Sequence, residues 1–202
     1  MKIIKVEQLI CRGEYSASNA WKRTRANLHK AIKEVDWPAG SGSFTIYPES
    51  GKKRGQGNGV KPIKEGLMKT LENQGWKLEQ PLDIATVSTP GNLDAVLFTR
   101  HGPVALEWET GNISSSHRAL NKMALGLLQQ KLACGILVVP SRNLYRYLTD
   151  RIGNIVELEP YFELWKSIPY KNGVLEIVVI EYDATSMKVP RIPKGTSGRA
   201  LQ

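Results

Sequence analysis

The sequence predicts an α/β protein with a mixed central β-sheet flanked by helices, and three observations carry that expectation. The runs NLDAVLFT (92–99) and VALEWET (104–110) look like half-buried strands, joined by Arg100–Pro103, a hairpin-sized link containing Gly102. A helical pattern at about 114–131 leads directly into the apolar run CGILVVP (134–140). Strand, helix and strand at that spacing form a crossover unit, which makes the two strands parallel and the sheet mixed.

The remaining elements follow in chain order. Trp21, Leu28, Ile32 and Val35 recur at helical spacing within 17–35, stopped by Trp37-Pro38. SFTIYPE (43–49) is a short extended piece, and GKKRGQGNGVK (51–61), rich in Gly and Lys, reads as a mobile loop. Pro62 starts a helix with Ile63, Leu67, Met68 and Leu71 inward, ending before Gly75. LDIATVS (82–88) carries a strand signal. After the crossover come helices near 142–148 and at 156–167 (VELEPYFELWKS), then a strand at VLEIVVIEYD (174–183). From Ala184 the chain holds Pro190, Pro193 and several small residues, so 184–202 is expected to be a loosely held, flexible tail. With no repeat and no linker, 1–202 reads as a single domain.

Composition narrows the partners. Hydrophobic content of 41% and charged content of 23% are those of an ordinary globular protein. Against that, 28 Lys+Arg face 19 Asp+Glu, a net charge of +9 that favours a polyanion, nucleic acid before an acidic membrane surface. Cys11 and Cys134 make no disulfide framework, and Cys134 sits in an apolar run where a buried thiol is expected. Charges inside MKIIKVEQLI exclude a signal peptide, and no apolar run approaches the roughly 20 residues of a membrane helix. A cytoplasmic protein is the expectation.

Within VALEWET, Glu107 and Glu109 share one face of the strand while Trp108 points the other way. Asp94, on the preceding strand, can approach the same edge. Three carboxylates that close repel unless a cation or an ion-pair partner compensates, and carboxylate oxygens are the ligands Mg²⁺ prefers. The plain alternative is a solvated strand face with salt bridges to lysines. His101 reads as a solvated turn residue, and neither cysteine has the neighbours of a zinc site. Beyond Gly111 a helix begins with Asn112, Ser114, Ser115, His117 and Arg118. Asn112 and Ser114 suit an A·T pair in a DNA major groove, and ordinary N-capping is the alternative, above all for Ser115. Arg118 could reach a base, a phosphate or a carboxylate. Asp150 and Arg151 together fit a G·C pair, or are a helix-start Asp beside a surface Arg. Lysines of GKKRG (51–55) are either phosphate contacts or a solvated basic turn.

EWETGNISSSHRALNKMALGL has company along the chain: DWPAGSGSFTI (36–46), NGVKPIKE (58–65), EQPLDI (79–84), LTDR (148–151), ELEPYFEL (157–164) and VPRIPKG (189–195). In this order, and over nearly the whole chain, these blocks resemble the BamHI family of type II restriction endonucleases. That family belongs to the nuclease superfamily marked by Asp and then Asp/Glu-x-Lys; here Glu109 stands at the Lys position. The resemblance implies a restriction-endonuclease-like fold and two Mg²⁺ per active site. It makes Asp94, Glu107, Glu79 and Trp108 the metal contacts, with Glu109 preparing the attacking water. Hydrolysis of a phosphodiester needs that neutralised charge and that activated water. Without the resemblance Glu79 is only one acidic residue in a polar link. DNA contacts are implied for Asn112, Ser114, Arg118, Asp150, Arg151, Gly195 and Arg199, on the site GGATCC. A palindrome calls for a homodimer, through helices near 114–131 and 156–167. The apolar spacing of Leu120, Met123, Ala124, Leu127 and Leu128 equally suits a core helix. The chain ends seven residues after Gly195, at TSGRALQ, so a short tail that orders on DNA, with Arg199 in the minor groove, is expected. Two rivals stand beside this reading: a DNA-binding protein without catalysis, and a less specific repair or recombination nuclease.

Overall fold

The most apolar runs of the sequence become the middle of a sheet. The structure is a computed structural model describing residues 1–53, 55–84, 91–109, 111–149 and 152–194. Its elements are β1 (Lys2–Arg12), α1 (Gly13–Ala17), α2 (Asn19–Lys33), β2 (Thr45–Ile46), α3 (Lys61–Asn73), β3 (Lys77–Pro81), β4 (Asn92–Thr99) and β5 (Gly102–Trp108). They continue with α4 (Ile113–Leu128), β6 (Cys134–Pro140), α5 (Arg142–Tyr145), α6 (Ile155–Leu158), α7 (Phe162–Lys166), β7 (Gly173–Glu181) and β8 (Ala184–Thr185). The main sheet has the order β1-β7-β6-β5-β4-β3. As expected it is mixed: β4 and β5 pair antiparallel up to Thr99↔Gly102, and β5 and β6 pair parallel from Val104↔Cys134 to Trp108↔Val138. Among the described residues no helix is long and apolar enough to cross a membrane.

Strands β6 and β7 are buried at every residue, because helices cover both faces. Alternation splits their side chains: Cys134, Ile136 and Val138 join one apolar cluster, Leu137 and Val139 the other. Helices α2 and α3 supply the first cluster with Leu28, Ile32, Leu67 and Leu71; α4, α6 and α7 supply the second with Leu120, Met123, Leu158 and Trp165. Burying each leucine-sized side chain is worth roughly 1.5–3 kcal/mol. An exposed pair such as Lys30–Glu34 is worth about 0.3–0.5 kcal/mol, so burial sets the layers. A polar group interrupts the middle of β7. Glu176, fully buried, lies 3.2 Å from Arg25 Nε, and burial holds its pKa above the usual carboxylate range.

Several expectations need correction. The strand expected at 82–88 is instead β3 at Lys77–Pro81, a polar edge strand; Leu82, Asp83 and Ile84 lie outside any strand, and 85–88 fall outside the described residues. β1 carried no strand signal because its pairing with β7 slips twice, between Ile3 and Lys5 and between Gln8 and Ile10, which scrambles the alternation. The helix expected at 156–167 is broken into α6, a 3₁₀ turn at Glu159–Tyr161 and α7, where Pro160 withholds a backbone donor. The first part of the tail is fastened, not loose. β8 pairs with β2, and Ile192 is 1% exposed; residues 195–202 are not described. Finally, Leu120, Met123, Ala124 and Leu127 of α4 all lie in the core, and of the five residues considered for an interface only Leu128 is exposed.

Leu120→Ala should therefore cost about 2–5 kcal/mol in denaturant unfolding, the loss expected of a core leucine, at every protein concentration. A loss that grows on dilution would return this face of α4 to an interface.

Candidate active site

The site begins where β4 and β5 separate. Their register runs as far as Ala95↔Leu106, and one step further Asp94 and Glu107 face each other. At that step the Asp94 carboxylate replaces a main-chain partner: its Oδ2 accepts the Trp108 N–H at 2.8 Å. On the other side of β4, the pairs Leu78↔Ala95 and Gln80↔Leu93 place Glu79 opposite Asp94. Three acidic positions thus form a row across β3, β4 and β5. Glu79 leaves the row in one respect. Its φ of 50° is left-handed, a conformation few residues other than Gly adopt, and its side chain is exposed and does not line the cleft beside Asp94.

That cleft, about 980 Å³, has Asp94, Glu107 and Glu109 on its sheet side and Lys64, Ser114, His117, Arg118 and Lys122 from α3 and α4 around it. As the alternation required, the Trp108 ring turns into the opposite cluster; the hydrogen bond to Asp94 uses only its main chain. Burial, and then the Asp94 charge, push the Glu107 pKa up to about 8. Burial also raises Glu109, whose Oε1 accepts the Gly111 N–H at 2.6 Å. A Cβ at Gly111 would stand 2.8 Å from that oxygen, so glycine is what lets the carboxylate fold back onto the turn. Lys64 Nζ lies 2.5 Å from Asp94 Oδ1. Lys122 donates to the Gly91 carbonyl, and burial lowers its pKa although Glu107 opposes the shift. Among the described residues no three His, Cys, Asp or Glu side chains are grouped closely enough to hold a metal ion; in this arrangement Lys64 is the cation at Asp94.

The structure thus brings Asp94, Glu107 and Glu109 to one cleft with Ser114 and Arg118, and leaves Glu79 outside its lining. Asn112, considered as a base reader, caps α4: its side chain accepts from the Ser115 N–H at 3.2 Å, worth about 1 kcal/mol to the helix. Asp150, Arg151, Gly195 and Arg199 lie outside the described residues. Beyond the first pair, the Gly153 N–H donates to the Gly111 carbonyl at 2.9 Å, just before α4. Lys64 and Lys122 were missed by sequence reasoning. Both stand on amphipathic helices, Lys64 between Lys61 and Lys69 and Lys122 as the one lysine of α4, and only the packing of those helices turns them to the carboxylates.

Comparison with known proteins adds four findings. The family described as Restriction endonuclease BamHI matches residues 1–199. Type II restriction enzyme OkrAI from Oceanobacter kriegii is 48% identical over 202 residues, all of both chains. Type II restriction enzyme BamHI from Bacillus amyloliquefaciens is 40% identical over 169 residues, 80% of this chain and 75% of that protein. The crystal structure of restriction endonuclease BglII complexed with a DNA 16-mer superposes with a TM-score of 0.58 at 12% identity, over 95% of this chain and 88% of that one. This last likeness supports the fold alone.

The raised Glu107 has a measurable consequence. Its folded-state pKa of about 8 exceeds the ordinary 4.5, so its contribution to stability is full below about pH 4.5 and is lost as pH rises through about 8. Without divalent cations, Glu107→Gln should melt above the wild type near pH 8–9, with the gap closing toward about pH 5. Melting curves with a pH-independent gap would refute this.

Proposed function

The chain belongs to the BamHI restriction endonuclease family and is a type II restriction enzyme, and from that premise we propose that it cuts duplex DNA at GGATCC as a Mg²⁺-dependent homodimer. The observation that carries the catalytic reading is the apposition of Asp94 and Glu107 in the cleft. Their repulsion contributes to holding Glu107 protonated, the condition of a carboxylate pair short of one positive charge. Two carboxylates facing each other are a donor set suited to a hard divalent cation. Asp94 and Glu107 would hold it, and Glu79, opposite Asp94 in register, would complete a two-ion site. Mg²⁺ when bound would supply charge for the scissile phosphate and lower the pKa of a water.

The chain's own groups account for the rest. Glu109, steadied by the Gly111 N–H and raised by burial, is suited to orient the attacking water or to accept its proton. Lys64 neutralises Asp94, and Lys122 and Arg118 add positive charge around the half-buried glutamates. Ser114 and Arg118 are exposed in the same cleft as the carboxylates, so the groups that read bases and those that cut share one cleft. Asn112 and Ser114 are assigned to the A·T pair, Asp150 and Arg151 to G·C, and Gly195 and Arg199 to the tail contact. For the dimer, the support is the exposed apolar surface of 155–166: Val156, Tyr161 and Leu164 are 47%, 47% and 59% exposed, more than a solvated helix needs.

A DNA-binding protein without catalysis has no use for carboxylates half-buried against one another's charge, and a less specific nuclease would leave scattered ends. Incubation with plasmid DNA, with and without Mg²⁺, followed by mapping of the ends, tests the proposal. Cuts confined to GGATCC and dependent on Mg²⁺ are expected; no cutting, or cuts elsewhere, defeats it.

Asp94→Asn should abolish cleavage while specific binding persists or tightens, since metal holding and phosphate repulsion fall together; near wild-type cutting would remove Asp94 from the mechanism. Leu164→Asp should shift sedimentation from dimer to monomer and suppress double-strand breaks. An unchanged dimer would place the interface elsewhere.

A further inference from the structure

The loop at 51–59 is not the mobile turn its glycines and lysines suggested. Its tip, at Lys52, Lys53 and Gly55, is exposed, but the stem residues Gly51, Gly57, Asn58 and Gly59 are buried. A Cβ at Gly51 would lie 1.5 Å from the Leu148 carbonyl oxygen, and one at Gly59 would lie 2.0 Å from that of Pro193. These glycines are demanded by close backbone approach: the stem is wedged against the segments 146–149 and 192–194.

Asn58, 0% exposed, joins the two segments. Its Nδ2 donates to the carbonyls of Tyr47 and Tyr147, each at 2.8 Å, and its Oδ1 accepts the Ile192 N–H at 3.1 Å. Its main chain adds two more bonds, from its N–H to the Tyr147 carbonyl at 2.7 Å and from the Thr149 N–H to its carbonyl at 2.9 Å. The neighbouring Gly59 N–H donates to the Ile192 carbonyl at 2.8 Å. Only a short planar amide offers two donors and an acceptor at once. An aspartate would turn charge toward two carbonyls, and an apolar residue would leave buried partners unmet.

Both segments run directly into residues assigned to DNA. Thr149 is followed by Asp150 and Arg151, and Lys194 by Gly195. Thr149 is bonded to Asn58, and on the far side of that pair the Gly153 N–H is bonded to the Gly111 carbonyl, just before α4. We infer that Asn58 is a positioning residue for sequence recognition. From the interior it ties Tyr147 and Thr149, which lead into the base-reading pair, to Ile192, which leads into the tail, so that the two act on DNA as a unit. The inference rests on the reading of this chain as a site-specific endonuclease.

The test uses the full-length protein without divalent cation, below the melting temperature of every variant. It compares affinity for a GGATCC duplex with affinity for a random duplex. Asn58→Ala should lower the specific-to-random ratio about tenfold while random-duplex affinity stays within about twofold. In a double-mutant cycle with Arg151→Ala the losses should overlap, the double variant lying within about threefold of the worse single one. A merely structural role would lower the melting temperature and leave the ratio unchanged; that result, or additive losses, overturns the inference. If Arg151→Ala alone leaves the ratio intact while Asn58→Ala lowers it, positioning by Asn58 stands and the Arg151 assignment falls. Should the wild type show no preference for GGATCC, the site assignment fails first, and the same comparison is made on the sequence mapped from its cut ends. Should Asn58→Ala not fold, Gly59→Ala displaces only the Pro193 side; it must lower the ratio too, and an unchanged ratio overturns the inference.

Discussion

The hydrogen bond from the Trp108 N–H to Asp94 Oδ2 is the constraint on which the cleft depends. It forms where the β4–β5 ladder would otherwise lose its partner, so a side chain satisfies a main-chain donor that burial would penalise. That bond fixes the Asp94 carboxylate with its other oxygen turned to Lys64. The register that leads up to it sets Asp94 across from Glu107, and alternation carries Glu109 to the same face. Charge then has to be balanced locally. α3 contributes Lys64 and α4 contributes Lys122 and Arg118, and Glu107 remains protonated up to about pH 8. The cleft therefore holds repulsion that the surrounding fold offsets, as a site built for an added cation would.

Much of this could be read from the sequence where a single strand decides the outcome. The period of two assigned Glu107 and Glu109 to one side and Trp108 to the other, and the short hairpin brought Asp94 within reach. The continuous apolar run 134–140 announced a strand buried on both faces. What failed were features fixed by partners distant in the chain. β1 is disguised by two slips in its pairing with β7, and β3 by the polar composition of an edge. Lys64 and Lys122 look like any helical lysine until packing aims them. Asn112 shows a different limit, since capping and base reading call for the same residue type at the same place.

The loop at 51–59 was misread for a reason that generalises. Glycine marks either freedom or confinement, and sequence alone does not separate the two. Here the absent side chains admit the carbonyls of Leu148 and Pro193, and the buried asparagine between them has hydrogen-bond partners on both sides. The same contact explains why 184–194 is anchored even though its composition resembles a frayed terminus.

The strand order also governs how the chain can be assembled. β7, among the last strands to leave the ribosome, lies between β1 and β6, and β1 pairs with it from Lys2↔Glu181 to Arg12↔Gly173. Strands β3 to β6, by contrast, are neighbours in the chain and in the sheet, joined through two antiparallel connections and one crossover, so their loop closures are short. A nascent chain can lay down that part of the sheet early, but the N-terminal strand must wait unpaired for nearly the whole of synthesis. Long-range closure of this kind is slow and leaves an apolar edge open in the meantime. β7 thus both covers the edge of β6 and is the partner that β1 requires.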